Sequence, residues 1–166
     1  MLIRDENPGD VDAIAGMVTA AFATIAEADG DEADLVAKLR SAGGLAVSLV
    51  AERAGATVGH IAFSPAQVDG RPGPWYQLAP LSVRPDLHRQ GIGSALVHAG
   101  IARLEGLGAE ACFVLGHPGY YPRFGFVSVA ELSDVYPEPN PAFMRRVLRG
   151  VPPTGKVTYH PAFGTT

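Results

Sequence analysis

Apolar residues recur along this chain in two periods, and the switches between them outline its elements. Leu2 to Arg4 reads as a short strand. Asn7-Pro8-Gly9-Asp10 then reads as a helix start: Asn7 caps it, proline suits the first helical position, and Asp10 complements the helix dipole. Val11, Ile14, Val18, Phe22 and Ile25 follow at helical spacing, and the pattern fades at Ala28-Asp29-Gly30. A second helix is predicted over 31–41, with Leu35 and Leu39 turned inward and Gly43-Gly44 ending it. Strands are predicted over 45–52, 57–68 and 75–83, separated by a turn at Arg53-Ala54-Gly55-Ala56 and a turn-rich connector over 69–74. A long helix over 91–107 carries Ile92, Leu96, Ala99, Ile101 and Leu104 on its apolar side, and a buried strand follows over 110–115. The last third reads as a loop, a short helix capped by Asn140-Pro141 and ending at Gly150, and a strand over 156–159. No repeat or linker divides the chain. Its 166 residues are expected to form one α/β domain (an α+β layer) over 1–166.

Between the strand over 75–83 and the long helix lies Arg84-Pro85-Asp86-Leu87-His88-Arg89-Gln90-Gly91-Ile92-Gly93-Ser94. A strand, a basic turn, two glycines and a helix start make a site for an anion. Glycine allows a sharp turn and close approach of the backbone. The first N–H groups of a helix lack intrahelical partners, and the dipole favours negative charge there. Arg84 and Arg89 add cations. Neither a Walker loop nor the Gly-x-Gly-x-x-Gly dinucleotide fingerprint is satisfied, since no Gly-Lys-Ser/Thr follows and Leu96 stands where the third glycine is required. A plain strand-to-helix turn is the alternative. The basic flank and the uninterrupted helix favour a phosphate-bearing ligand.

Composition narrows the classes. A hydrophobic share of 47% with 18% charged residues reads as soluble and globular. The net charge of −4 argues against nucleic acid as a partner. The single cysteine, Cys112, excludes an internal disulfide and a multi-cysteine metal site, and its apolar neighbours mark it as a buried structural thiol. No metal is expected. The N-terminus has no signal-peptide pattern and no apolar run is long enough to span a membrane, so a cytoplasmic protein is expected.

The window His88-Arg89-Gln90-Gly91-Ile92-Gly93 resembles the acetyl-CoA signature Arg/Gln-x-x-Gly-x-Gly/Ala of the GNAT-superfamily N-acetyltransferases. Downstream, Tyr121-Pro122-Arg123-Phe124-Gly125-Phe126 resembles that family's Tyr-x-x-x-Gly-Phe. The longer string from Gly116 to Phe126, and the ending Tyr159-His160-Pro161-Ala162-Phe163-Gly164, look like its YhbS-like branch. The resemblance implies a mixed, mostly antiparallel sheet with helices on both faces. Its fourth strand would be bulged and splayed from the fifth, and Pro80 sits where that bulge would fall.

The resemblance also implies transfer of an acetyl group from acetyl-CoA to a primary amine of a small molecule or protein. Backbone N–H groups of Gln90, Gly91, Ile92, Gly93 and Ser94 would grip the pyrophosphate, with Arg89 adding charge and the Ser94 hydroxyl a further donor. Leu81, Ser82 and Val83 would lie along the pantetheine, with the Leu81 and Val83 backbones pairing to it. His88 departs from the family's Arg or Gln. Tyr121 would serve the leaving thiolate; the prolines around it reduce the family's helix to a turn. The family's strand carboxylate is missing. His60 and His117 are substitutes as general base, beside ordinary structural roles for both and direct loss of the proton to water. Glu27 and Asp29 would meet the acceptor, or form a solvated loop. A homodimer is open, since dimers are common in the superfamily. A non-catalytic acyl-CoA-binding module is the alternative function, and a different acyl group keeps the chemistry.

Overall fold

The computed structural model describes residues 1–23, 32–134, 140–151 and 153–163. The predicted elements are present with shifted ends. β1 (Leu2–Asp5) leads through a single 3-10 turn, Pro8–Asp10, into α1 (Val11–Phe22). Asn7 caps that turn: its side chain accepts from Gly9 N–H, and Asp10 returns a bond to the Asn7 N–H at 2.7 Å. α2 (Glu32–Ser41) follows, with Val36 and Leu39 buried, while Leu35 is only half-buried and borders a cavity. β2 (Val47–Arg53), β3 (Ala56–Val68) and β4 (Arg71–Val83) form a meander. The connector expected over 69–74 tightens to Asp69-Gly70, both at positive φ, so β4 begins at Arg71. α3 (Ile92–Gly106), β5 (Ala111–Leu115), β6 (Leu132–Ser133), β7 (Phe143–Val147) and β8 (Gly155–Thr158) complete the chain.

The helix expected to start at Asn140-Pro141 is β7 instead. Asn140 makes a turn: its side chain accepts from Ala142 N–H at 3.0 Å and its carbonyl from Phe143 N–H at 3.0 Å. Phe143 to Val147 then pair antiparallel with β5. Arg145 and Arg146 hid the strand by placing two charges inside it. The fold accommodates them with backbone carbonyls, Pro153 for Arg145 at 2.8 Å and Phe124 for Arg146 at 3.0 Å.

The sheet runs β1-β2-β3-β4-β5-β7, with β8 joined to β3 and β6 to β8. Of these pairings only β4–β5 and β6–β8 are parallel. Helices cover both faces, as strand alternation demands. Leu49, Ala51, Ile61 and Phe63 pack with Ile92, Leu96, Val97, Ile101 and Leu104 of α3. Val50, pointing the other way, packs with Ile14, Met17 and Val18 of α1 and Val36 of α2.

One close approach sets a measurable constraint. A Cβ on Gly100, in the middle of α3, would stand 2.3 Å from the fully buried Phe63 ring. Gly100→Ala is therefore expected to destabilise the fold by about 1–3 kcal/mol through overpacking, despite alanine's better helix propensity. Urea unfolding of the two proteins checks it, and equal midpoints would contradict the packing.

The feature that positions the site lies in β4. Ile61 pairs with Leu81 and Phe63 with Leu78, so Ala62 alone faces both Ala79 and Pro80. This is the bulge expected at Pro80. On its other side β4 pairs with β5 only from Trp75 to Gln77, opposite Ala111 to Phe113. Beyond Gln77 the two strands part, and both run on.

Candidate active site

The gap opened by that parting holds two adjoining cavities. The larger, about 760 Å³, is walled by Leu81, Ser82 and Val83 of β4, by Leu87, His88 and Arg89, by the start of α3 from Gly91 to Ser94, by the end of α1, and by Tyr120 and Arg123. The smaller, about 420 Å³, lies between the bulge at Ala79-Pro80 and the end of β5, with Phe22, Glu32, Leu35, His117 and Tyr121 around it. Phe22, Leu81 and Tyr120 border both. Leu81, Ser82, Val83, His88, Arg89, Gly91, Ile92, Gly93 and Ser94 thus come together around one cleft. Gln90 stands outside its wall, where its side-chain oxygen accepts from Arg53 at 3.1 Å.

Local chain geometry builds the anion-binding end. Arg89 and Gly91 both adopt positive φ, 64° and 83°. For arginine that conformation is uncommon and costs about 1–3 kcal/mol, a form of strain found mostly at functional sites. The first intrahelical bond of α3 runs from Ala95 N–H to Gly91 C=O at 3.0 Å. The N–H groups of Ile92, Gly93 and Ser94 precede that ladder and have no helical acceptor. They lie in the cleft wall at the positive end of a 15-residue helix. Gly93 is needed for contact: a Cβ there would meet the Tyr120 hydroxyl at 2.9 Å.

The cations divide differently from the sequence expectation. Arg84 is held by Asp86 in a two-point pair at 2.6 and 2.9 Å, and that hydrogen bonding lowers the Asp86 carboxyl below its ordinary value. Arg84 is therefore largely neutralised. Arg89 has no carboxylate within ion-pair distance among the described residues. Arg123, an unspecified position of the Tyr-x-x-x-Gly-Phe string that the sequence does not single out, lines the same cavity as Arg89. Its guanidinium donates to the carbonyls of Tyr120 and Gly119 and lies 4.7 Å over the Tyr120 ring. None of these contacts neutralises its charge. His88 turns back onto the strand, with Nε2 donating to the Val83 carbonyl at 3.0 Å. It braces the turn from within the cleft wall.

Tyr121 begins a 3-10 turn, Tyr121–Phe124, in place of a full helix. It is buried in an aromatic cluster with Tyr120, Phe124 and Phe126. Burial, with smaller contributions from Tyr120 and Cys112, raises its phenol well above the ordinary tyrosine value, so the hydroxyl stays protonated. Tyr121 opens onto the smaller cavity, and Tyr120 lies at the junction of the two.

The candidate bases separate on hydrogen bonding. His117 is exposed and its Nδ1 accepts from Gly119 N–H at 3.0 Å, which engages the lone pair that a base would need. His60 is fully buried, with Nε2 2.8 Å from Ser48 Oγ. Glu27 and Asp29 lie outside the described residues. Glu32 is the carboxylate at the smaller cavity among the described residues. Cys112 is completely buried, and burial raises its thiol, as a structural cysteine requires. Among the described residues no group of three His, Cys, Asp or Glu could hold a metal, and no helix is long and apolar enough to cross a membrane.

Comparison with known proteins adds to this geometry. The acetyltransferase (GNAT) family profile matches residues 13–126. The uncharacterized N-acetyltransferase YhbS of Escherichia coli is 38% identical over 171 residues, covering 98% of each chain. Among solved structures, a GNAT family acetyltransferase from Brucella melitensis in complex with acetyl-CoA has a TM-score of 0.87 at 40% identity, covering 98% of this chain and 97% of that one. Escherichia coli YhbS in complex with CoA has a TM-score of 0.89 at 37% identity, covering 98% and 91%. With a bulged fourth strand, a splayed fifth and a glycine turn at the helix start, matched from end to end by such relatives, this chain belongs to the GNAT family of acetyltransferases.

Proposed function

We propose that the cleft binds acetyl-CoA and that the enzyme transfers the acetyl group to a primary amine. The observation that carries this reading is the parting of β4 from β5 beyond Gln77, with unpartnered helix N–H groups at one end and Tyr121 at the other. Relatives solved with acetyl-CoA and CoA support it. The residues fit the ligand's chemistry. A pyrophosphate takes the N–H groups of Gly91 to Ser94 with Arg89 beside them. A pantetheine amide finds in β4, from Leu78 to Val83, a strand edge with no partner on the β5 side.

The acyl-CoA supplies an activated acetyl group on a thiol leaving group. The protein contributes position and charge. The glycine turn and Arg89 anchor the phosphates, and β4 aligns the thioester with the mouth of the smaller cavity. The raised Tyr121 phenol keeps its proton and donates a hydrogen bond to the sulfur as negative charge develops there. The amine enters the smaller cavity, whose walls are mainly apolar and whose carboxylate, Glu32, suits a cation.

Arg123 belongs to this site by its position. Arg123→Gln is expected to weaken acetyl-CoA binding about tenfold, the loss of one charge-assisted contact. The residue is exposed, so stability is expected to be unchanged. Calorimetric titration checks it, and unchanged affinity would place Arg123 outside the ligand's reach.

The reading itself is tested by incubating the protein with acetyl-CoA and a panel of primary amines while following free CoA. Amine-dependent release supports transfer. Tight binding of acetyl-CoA with no release by any amine would favour the alternative, a module that binds acyl-CoA without turnover.

A further inference from the structure

Beneath α1 a line of polar side chains crosses the sheet from the outer surface to the cleft. Glu6, in the β1–α1 connection, is held by Arg40 of α2 at 2.8 and 3.1 Å. It accepts a hydrogen bond from Ser48 Oγ on β2. Burial works against its charge, but the nearby His60, Arg40 and Ser48 together outweigh burial and hold the carboxyl far below the usual range. Ser48 has a single proton and gives it to Glu6. Its oxygen must therefore accept from His60, which places a proton on Nε2. Nδ1 of His60 is buried and has no hydrogen-bond partner.

The residue directly opposite His60 across the β3–β4 ladder is Ser82. Opposed residues of an antiparallel pair stand on the same face, with Cβ atoms about 4.5–5.5 Å apart. The Ser82 hydroxyl is also buried and also without a partner. Ser82 is part of the cleft wall. His60 and Ser82 thus stand side by side on one face at the inner end of the line, each with a buried polar atom that no hydrogen bond satisfies. Buried polar groups in native proteins are nearly always satisfied, so such a pair needs a reason.

We infer that Glu6, Ser48, His60 and Ser82 form a relay that takes the proton from the attacking nitrogen, in place of the carboxylate that β4 lacks. This rests on the transfer reading above. As the nitrogen forms its bond to the acetyl carbon at the junction of the two cavities, where Leu81 borders both, its N–H bond breaks and the proton passes to the Oγ of the adjacent Ser82, whose side chain turns from its buried position toward the cleft. The Ser82 proton moves to His60 Nδ1. The imidazolium so formed donates through Ser48 to ionised Glu6, which stabilises it. The electron pair of the broken C–S bond leaves on sulfur, and the relay later returns its proton to that thiolate. Nothing is oxidised, and each group ends with the protons it began with. Among the described residues the charged groups beside His60 are Glu6 and Arg40, with Asp10 behind Glu6. The α1 residues turned to this face, Ile14, Met17, Val18 and Ala21, are apolar. His60 is a positioning and relay residue, since Ser82 stands between it and the cleft.

The test uses the full chain with histidine labelled by nitrogen-15, with and without acetyl-CoA. Nitrogen chemical shifts are expected to show His60 protonated on Nε2 and bare on Nδ1, and Ser82→Ala is expected to move the Nδ1 resonance. A proton resting on Nδ1, or an Nδ1 signal blind to Ser82→Ala, overturns the relay. A second arm follows acetyl-CoA hydrolysis, with water as the probe nucleophile. His60→Gln keeps an N–H donor for Ser48 but cannot take up a proton. It is expected to slow hydrolysis about 10²-fold or more and to flatten the acidic limb of the rate–pH profile, with acetyl-CoA affinity unchanged. Equal rates and profiles overturn it. Failure of the wild type to bind acetyl-CoA would instead remove the transfer reading, so the two failures are distinguishable.

Discussion

Gly91→Glu is expected to abolish acetyl-CoA binding at concentrations that saturate the wild type. Three effects act together. The residue sits at φ 83°, where any side chain is strained. It caps α3 at the point where the backbone turns its N–H groups to the cleft. A carboxylate there places a negative charge at the helix end that a pyrophosphate needs. There is open space around the glycine, with nothing within 4 Å of a Cβ, so the fold is expected to survive. The loss is expected to reach about 100-fold or more in Kd, about 2.7 kcal/mol. Calorimetric titration of both proteins, with circular dichroism to verify folding, reads it. Equal affinity would move the phosphate site away from the glycine turn.

Tyr121→Phe is expected to act on the opposite quantity. Removal of a donor that strengthens only as charge develops lowers kcat and leaves ground-state binding alone. A drop of about 10²-fold in kcat, with acetyl-CoA affinity within about twofold, is the expected result. The substitution keeps the ring in its aromatic cluster, so packing is retained. Tyr120→Phe is the informative companion, because Tyr120 lies over Gly93 at the junction of the two cavities. A larger kcat loss for Tyr120→Phe than for Tyr121→Phe would reassign the donor to the neighbouring residue.

Local features of the site were legible in the sequence. Gly91 and Gly93 signal a turn into a helix, Pro80 a break in a strand, and Pro122 a shortened helix. Each of these follows from how one residue restricts or frees its own backbone. What escaped was set by partners distant in sequence or by competing local signals. Arg84 and Arg89 look alike in the chain, but Asp86 neutralises one of them. Arg123 reaches the cleft because its turn packs on α3, Phe124 against His98 and the preceding Tyr120 beside Gly93, contacts that no local pattern encodes. The strand β7 was masked by Asn140-Pro141, which also begins turns, and by two arginines whose carbonyl acceptors lie in separate segments. His60 was visible as a histidine on a strand. Its partners Glu6, Arg40 and Ser48 come from three elements brought together only by the folded sheet.

The central claim is that the splayed cleft hands an acetyl group to nitrogen. Acetyl-CoA labelled in its acetyl group, incubated with the protein and the amine panel, tests this most directly through the fate of the label. Label is expected on an amine as an amide, in equal amount to the free CoA released, with no such product from Gly91→Glu. Label that stays on CoA, or leaves only as acetate whatever amine is present, would contradict it.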